Sequence, residues 1–151
     1  MRPTNAWRAA SVWILALVLA AGQALAQPPA ALEVTDLVVG GGKEVEHGWF
    51  AVIHYTGWVY DDAAPDRKGA QFVDTRNRGR PGTFLYGYFS VVPGLEAGMR
   101  GMKAGGRRSI LVPPNLGYDD FKVSKPRKLP PGSALVFEVE LLDVTQDRKP
   151  N

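Results

Sequence analysis

The 151-residue sequence contains no cysteine. This excludes disulfide staples, thiolate chemistry and lipidation at a cysteine beside a cleavage site. Histidine is scarce: His47 and His54 stand alone, without acids or further histidines at metal-ligand spacing, so no metal site is expected. Ser90 lies in YFSVV and not in a nucleophile elbow. The run Gly40-Gly41-Gly42-Lys43 is only superficially like a phosphate loop, because its first glycine is misplaced and no Ser or Thr follows Lys43. It reads as a turn. Internal repeats are absent as well. Nothing in this inventory points to hydrolysis, redox work or phosphoryl transfer.

The one long apolar run is N-terminal. Arg2 and Arg8 precede the apolar stretch Ser11 to Ala21, and Ala24-Leu25-Ala26 supplies a small-x-small pattern before Gln27. A membrane span needs about 20 apolar residues, whereas this run stops at Gly22 and Gln23. Residues 1–26 are therefore read as a cleaved signal peptide, with an uncleaved anchor helix as the alternative. The expected product is a soluble exported protein, periplasmic in a double-membraned bacterium. The formal charge of +3 falls to about +1 once Arg2 and Arg8 are removed, which gives no support to nucleic-acid binding. Basic residues cluster at Arg76, Arg78 and Arg80, and again at Lys122, Lys125, Arg127 and Lys128. Both clusters read as solvated loop charge, although the 122–128 loop has the composition to contact an acidic partner.

Residues 27–31 form a loose Pro/Ala tail, 32–145 the folded domain and 146–151 a polar tail. In ALVFEVELLDV, Leu135, Phe137, Val139 and Leu141 alternate with Glu138 and Glu140, the pattern of a half-buried antiparallel strand. WFAVIHYTGWVY is a second strand, with Ile53, Tyr55 and Val59 on one face and His54 and Thr56 on the other; Val52 and Trp58 blur its alternation. This places His54 as a cross-strand contact and not as a base. RRSILVPP is a third strand, stopped by Pro113 and Pro114. In VPGLEAGMRGMKAGG, Leu95, Gly98, Met99 and Met102 share a face at helical spacing, and Gly105 and Gly106 are expected to end the helix. Its internal glycines make such a helix unstable alone, so packing against a sheet must hold it. The expected class is α+β: an antiparallel sheet around one short helix.

These segments carry a resemblance. HYTGWVYD, APDRKGAQF, VVPGLEAGMRGMKAGGRR, LVPPNLGY and LPPGSALVFEVELLDV, in that order, resemble the FKBP-type peptidyl-prolyl cis-trans isomerases over nearly all of the chain after residue 31. The resemblance implies a sheet half-wrapped around a short helix, with an apolar pocket between helix, sheet and loops. It also implies proline-containing polypeptides as substrates, binding of macrolide inhibitors and no cofactor; with no long helical dimerisation arm in the sequence, a monomer is expected. By position, Tyr55, Phe72, Asp74 and Tyr118 would be the catalytic set, and Val91, Val92, Leu95, Leu129 and Phe137 would bind substrate. The Val92 N–H and the Tyr118 phenol would donate to substrate carbonyls. Leu95 stands where the family often has tryptophan, giving a smaller floor and weaker macrolide binding.

The resemblance also exposes departures. In GAQFVDTRNRG, Val73 takes the position of the usual aspartate and Asp74 comes one residue late. A one-residue slip reverses side-chain direction along a strand. Either a bulge returns Asp74 toward Tyr55 and Arg78, or Asp74 turns outward and caps the loop at Arg76. Gly82 removes an aromatic wall, leaving Phe84. Asp119 replaces the glycine usual after the pocket tyrosine, and the basic loop that follows is about two residues longer than the common form. Two functions remain open: an isomerase for exported proteins, and a non-catalytic or weakly catalytic chaperone of the same shape that grips apolar segments.

Overall fold

The computed structural model describes residues 27–119 and 124–147. The signal-peptide reading of residues 1–26 lies outside them, as do Lys122 of the basic loop and the last residues of the polar tail. Among the described residues no helix is long and apolar enough to cross a membrane.

The alternation read from the sequence builds one antiparallel sheet. Its strands are β1 (Glu33–Val38), β2 (Phe50–Tyr60), β3 (Lys68–Asp74), β4 (Gly82–Leu85), β5 (Arg107–Val112) and β6 (Leu135–Thr145). They lie in the order β1-β5-β6-β2-β3, with β4 also paired to β2. Because β6 occupies one edge of β2, β3 and β4 share the other edge end to end. The arginine-bearing loop 75–81 leaves the sheet at that interruption.

The inner face of β2 carries Ala51, Ile53, Tyr55, Gly57 and Val59, opposite Val144, Leu141, Val139, Phe137 and Leu135 of β6. Leu135, Phe137 and Leu141 have no exposed surface, and burial of such a side chain is worth about 1.5–3 kcal/mol. The alternation along β2 is unbroken; the irregularity belongs to β6, where Leu142 is an extra residue. Val52 stays on the outer face yet is buried, which is why its apolarity blurred the pattern.

One helix, α1 (Pro93–Gly98), packs on β5. Proline at its first position suits a helix start. A Cβ on Gly94 would come within 2.3 Å of Val112, and one on Gly98 within 2.4 Å of Ile110. The glycines that weaken the isolated helix therefore permit its close seat on the sheet. The helix ends at Gly98, earlier than the expected stop at Gly105-Gly106. Residues 99–102 continue as turns, with Arg100 N–H bonded to the Ala97 carbonyl and Gly101 at φ 72°. The buried Arg108 guanidinium holds the vacated helix end, donating to the Gly98 and Arg100 carbonyls at 2.8 and 2.9 Å and to Asp36 at 2.6 Å. A cation there also complements the helix dipole.

Candidate functional site

The inner face of β2, the end of β3, the start of α1 and the loops after β5 converge on one cluster of rings and branched side chains. Val92, Leu95, Leu129 and Phe137 are buried at its base, whereas Tyr55, Phe72, Val91 and Tyr118 are only half-buried and form its rim. The Phe72 ring meets Phe137 edge-on at a centroid distance of 5.8 Å and Tyr118 at 6.1 Å; Tyr55 lies tilted against Phe137 at 6.3 Å. Edge-to-face pairs of this kind are attractive beyond their area. Eight of the nine residues expected at the site thus belong to the hydrophobic core cluster, and the rings of four of them meet within it. Phe137, wholly buried, is its foundation and not a wall open to solvent.

The ninth is Asp74. β3 does contain a bulge, but at Phe72: Trp58 pairs with Gln71 and Gly57 with Val73, so Phe72 is the extra residue. The bulge turns both Phe72 and Val73 inward and leaves Asp74 on the outer face opposite Thr56. The Asp74 carboxylate accepts from the backbone N–H groups of Arg76 and Asn77, at 2.8 and 3.4 Å. Of the two open readings, the structure has the outward acid capping its loop. Val73, 6% exposed, occupies the inner position instead.

The next residue fixes this strand end. Thr75 is buried, and its hydroxyl oxygen accepts from Tyr55 N–H at 2.9 Å and lies 3.0 Å from His54 Nδ1. Thr75 N–H also donates to the Tyr55 carbonyl. His54 is accordingly the cross-strand contact that the alternation predicted.

Two phenols and one amide are the cluster's polar groups. Neither the Tyr55 nor the Tyr118 hydroxyl makes a hydrogen bond among the described residues, and both are raised above the ordinary tyrosine value. Burial is the main cause; it pushes Tyr118 up to about 12, with Arg78 opposing in both cases. Each phenol is therefore a neutral O–H donor at physiological pH. Val92 caps α1: its carbonyl accepts from Leu95 and Glu96, while its own N–H has no acceptor among the described residues.

Three contributors escaped the sequence reading. Gly57 leaves the space in which the rings meet, since a Cβ there would lie 2.7 Å from Val73, 2.8 Å from Phe72 and 2.9 Å from Phe137. Thr75 was hidden in a polar loop. Glu96, 6% exposed on α1, accepts from Phe89 N–H at 3.1 Å and from Gly87. It thereby holds the loop that leads into Val91 and Val92. A carboxylate on an otherwise apolar helix face was the available signal.

Asp119 and Gly82 also show what their substitutions do. The Asp119 carboxylate accepts from Lys125 and from Gly132 N–H, tying together the two ends of the long loop. These donors hold it below the ordinary carboxylate range, Lys125 foremost. Gly82 lies beside Tyr55, where a Cβ would sit 3.3 Å from Cε1.

Residues 41–142 match the family model described as FKBP-type peptidyl-prolyl cis-trans isomerase. The chain is 36% identical over 113 residues to an FK506-binding protein of Neisseria meningitidis serogroup B, covering 75% of this chain and 95% of that one. It is 33% identical over 139 residues to peptidyl-prolyl cis-trans isomerase FKBP2 of Mus musculus, covering 87% and 93%. Among solved structures, FkpA from Escherichia coli superposes with a TM-score of 0.63 at 30% identity, over 79% of this chain and about half (51%) of that one. AtFKBP13 gives 0.61 at 32% identity, over 77% and 94%.

Proposed function

The chain belongs to the FKBP-type peptidyl-prolyl cis-trans isomerases, and from that premise we propose that it turns X-Pro bonds of exported proteins in the cluster between α1, β2 and β3. The carrying observation is that the gathered residues are apolar or neutral, with two phenols at the rim and the Val92 amide at the base that make no hydrogen bond among the described residues. The barrier to prolyl isomerisation, roughly 18–20 kcal/mol, comes from amide resonance. Resonance places negative charge on the carbonyl oxygen, which water stabilises. A proline ring packed against the half-buried Tyr55, Phe72 and Tyr118, above the base formed by Phe137, Leu95 and Val92, leaves water behind, and the twisted, less polar amide is then favoured. Donation from Val92 N–H and the Tyr118 phenol orients the flanking carbonyls. No acid is needed in this scheme, and Val73 at the inner position makes the pocket drier. Leu95 gives a smaller floor than tryptophan, so macrolides of the FK506 type bind more weakly.

Proline-limited refolding of a test protein, followed with the purified chain and its Phe72→Ala and Tyr118→Phe variants, checks this reading. Acceleration by the parent that drops in both variants supports it. Equal acceleration by all three would place the chemistry elsewhere. The holding-chaperone reading is favoured by one feature, the exposed aromatics Tyr88 and Phe89, 58% and 61% accessible beside the pocket's entry loop. Its mark is aggregation suppression that survives when isomerisation is lost.

A further inference from the structure

The loop between β3 and β4 carries three arginines, and among the described residues only Arg76 has an acidic partner. Arg76 pairs with Glu140 across the outer face. Arg67, Arg107 and Arg108 elsewhere are paired as well, with Glu33, Glu138 and Asp36. Arg78 and Arg80, by contrast, make no side-chain hydrogen bond or ion pair among the described residues. The acid nearest in sequence to Arg78, Asp74, is turned to the outer face and spent on two backbone amides. Val73, on the inner side, brings no charge.

Arg78 and Arg80 instead line a cavity of about 480 Å³ with Tyr55, Thr75, Gly82 and Thr83, and no lining residue is acidic. Tyr55 belongs both to this cavity and to the rim of the apolar cluster, so the cavity adjoins the cluster. A side chain at Gly82, which also lines the cavity, would press on the Tyr55 ring, since its Cβ would lie 3.3 Å from Cε1. Arg78 is close enough to both rim phenols to oppose the rise in their pKa. Two arginines without counter-charge among the described residues, in a cavity beside the apolar cluster, make a receptor for an anion.

We infer that Arg78 and Arg80 form an anionic subsite that selects substrates carrying an Asp or Glu side chain next to the proline. The inference rests on the prolyl pocket proposed above. The proline ring enters the apolar cluster, and the carboxylate of a flanking residue reaches past Tyr55 into the arginine-lined cavity. A lysine at the same position meets like charge and is disfavoured.

The test is a set of short proline peptides in which Leu, Glu or Lys occupies each position flanking the proline in turn. Isomerisation kcat/KM is measured for the purified protein, for Arg78→Gln/Arg80→Gln, and for the parent in about 0.5 M salt, where screening shortens charge interactions to a few ångströms. The expected Glu-over-Lys preference is roughly 3- to 10-fold at one flanking position at least, collapsing toward 1 in the variant and in salt. Leu peptides turned over with equal Glu and Lys rates at every position would overturn the subsite and leave the prolyl pocket standing. A preference that persists unchanged in the variant overturns it too. Absence of turnover on every peptide removes the prolyl pocket, and the subsite with it. If the double variant does not fold, the salt series alone decides: a preference insensitive to salt contradicts the inference.

Discussion

Val73 and Asp74 are neighbours that face opposite sides of β3. Val73 stands opposite Gly57 within the apolar cluster, and Asp74 stands opposite Thr56 with its carboxylate folded into the following loop. The bulge at Phe72 causes this arrangement, and three consequences follow among the described residues: the apolar cluster holds no acid at this edge, Arg78 has no ion-pair partner, and Asp74 caps its loop.

The cap is testable by itself. Asp74→Ala removes the acceptor for Arg76 N–H and Asn77 N–H and should lower stability by about 1 kcal/mol, the usual size of such a bond. Urea denaturation of parent and variant measures this. A loss several times larger would mean that Asp74 holds more than its loop.

The rim phenols set a pH dependence. A raised pKa means that the folded state keeps its phenolic protons more tightly than the unfolded chain. The associated stability is fully present below the ordinary tyrosine value of about 10 and is lost as pH rises through about 12 for Tyr118. Isomerase activity should therefore be flat from about pH 6 to about 9, where both phenols remain donors. A pH–rate profile checks this, and a midpoint near neutrality would point to some other titrating group.

Glu96 gives a prediction of the same sign at lower pH. Burial raises its pKa more than its backbone donors lower it. The folded state thus favours its proton, and the corresponding stability is lost as pH rises from the ordinary carboxylate value through the folded one. Glu96→Gln keeps an acceptor for Phe89 without the buried charge, so at pH 7 it should be at least as stable as the parent. Glu96→Ala strands the amides and should cost roughly 1–3 kcal/mol. Thermal melts of the three proteins rank them; a glutamine variant as weak as the alanine one would show that the charge itself matters.

Gly98→Ala tests why the helix is rich in glycine. Alanine improves helix propensity by up to about 1 kcal/mol, but its methyl would lie 2.4 Å from the buried Ile110. Overpacking typically costs about 1–3 kcal/mol, so a lower denaturation midpoint is expected. A higher midpoint would mean that the helix–sheet gap is looser than described.

Residues governed by local periodicity were the legible ones. The alternation in 135–141 and the glycine-laden apolar face of 93–102 named β6 and α1, and of the nine residues that the ordered blocks named for the site, eight belong to the core cluster. The end of α1 was misplaced because glycine marks both helix stops and close packing, and Gly98 does both. The direction of Asp74 could not be read because it depends on where β3 bulges, and a bulge is set by the partner strand. Thr75 was equally opaque, because it is buried by its bonds to Tyr55 across the strand end, whereas Arg78 was placed near Tyr55 from the sequence and lines a cavity with it.

The central claim is that this pocket isomerises proline bonds without an acid at its inner edge. The direct measurement is kcat/KM for cis-to-trans isomerisation of a Leu-Pro peptide by the purified parent beside Asp74→Ala and Tyr118→Phe. The account predicts turnover by the parent, retained within about twofold in Asp74→Ala and reduced roughly 3- to 10-fold in Tyr118→Phe, the value of one lost hydrogen bond. Abolition of turnover in a folded Asp74→Ala, with Tyr118→Phe unaffected, would contradict it.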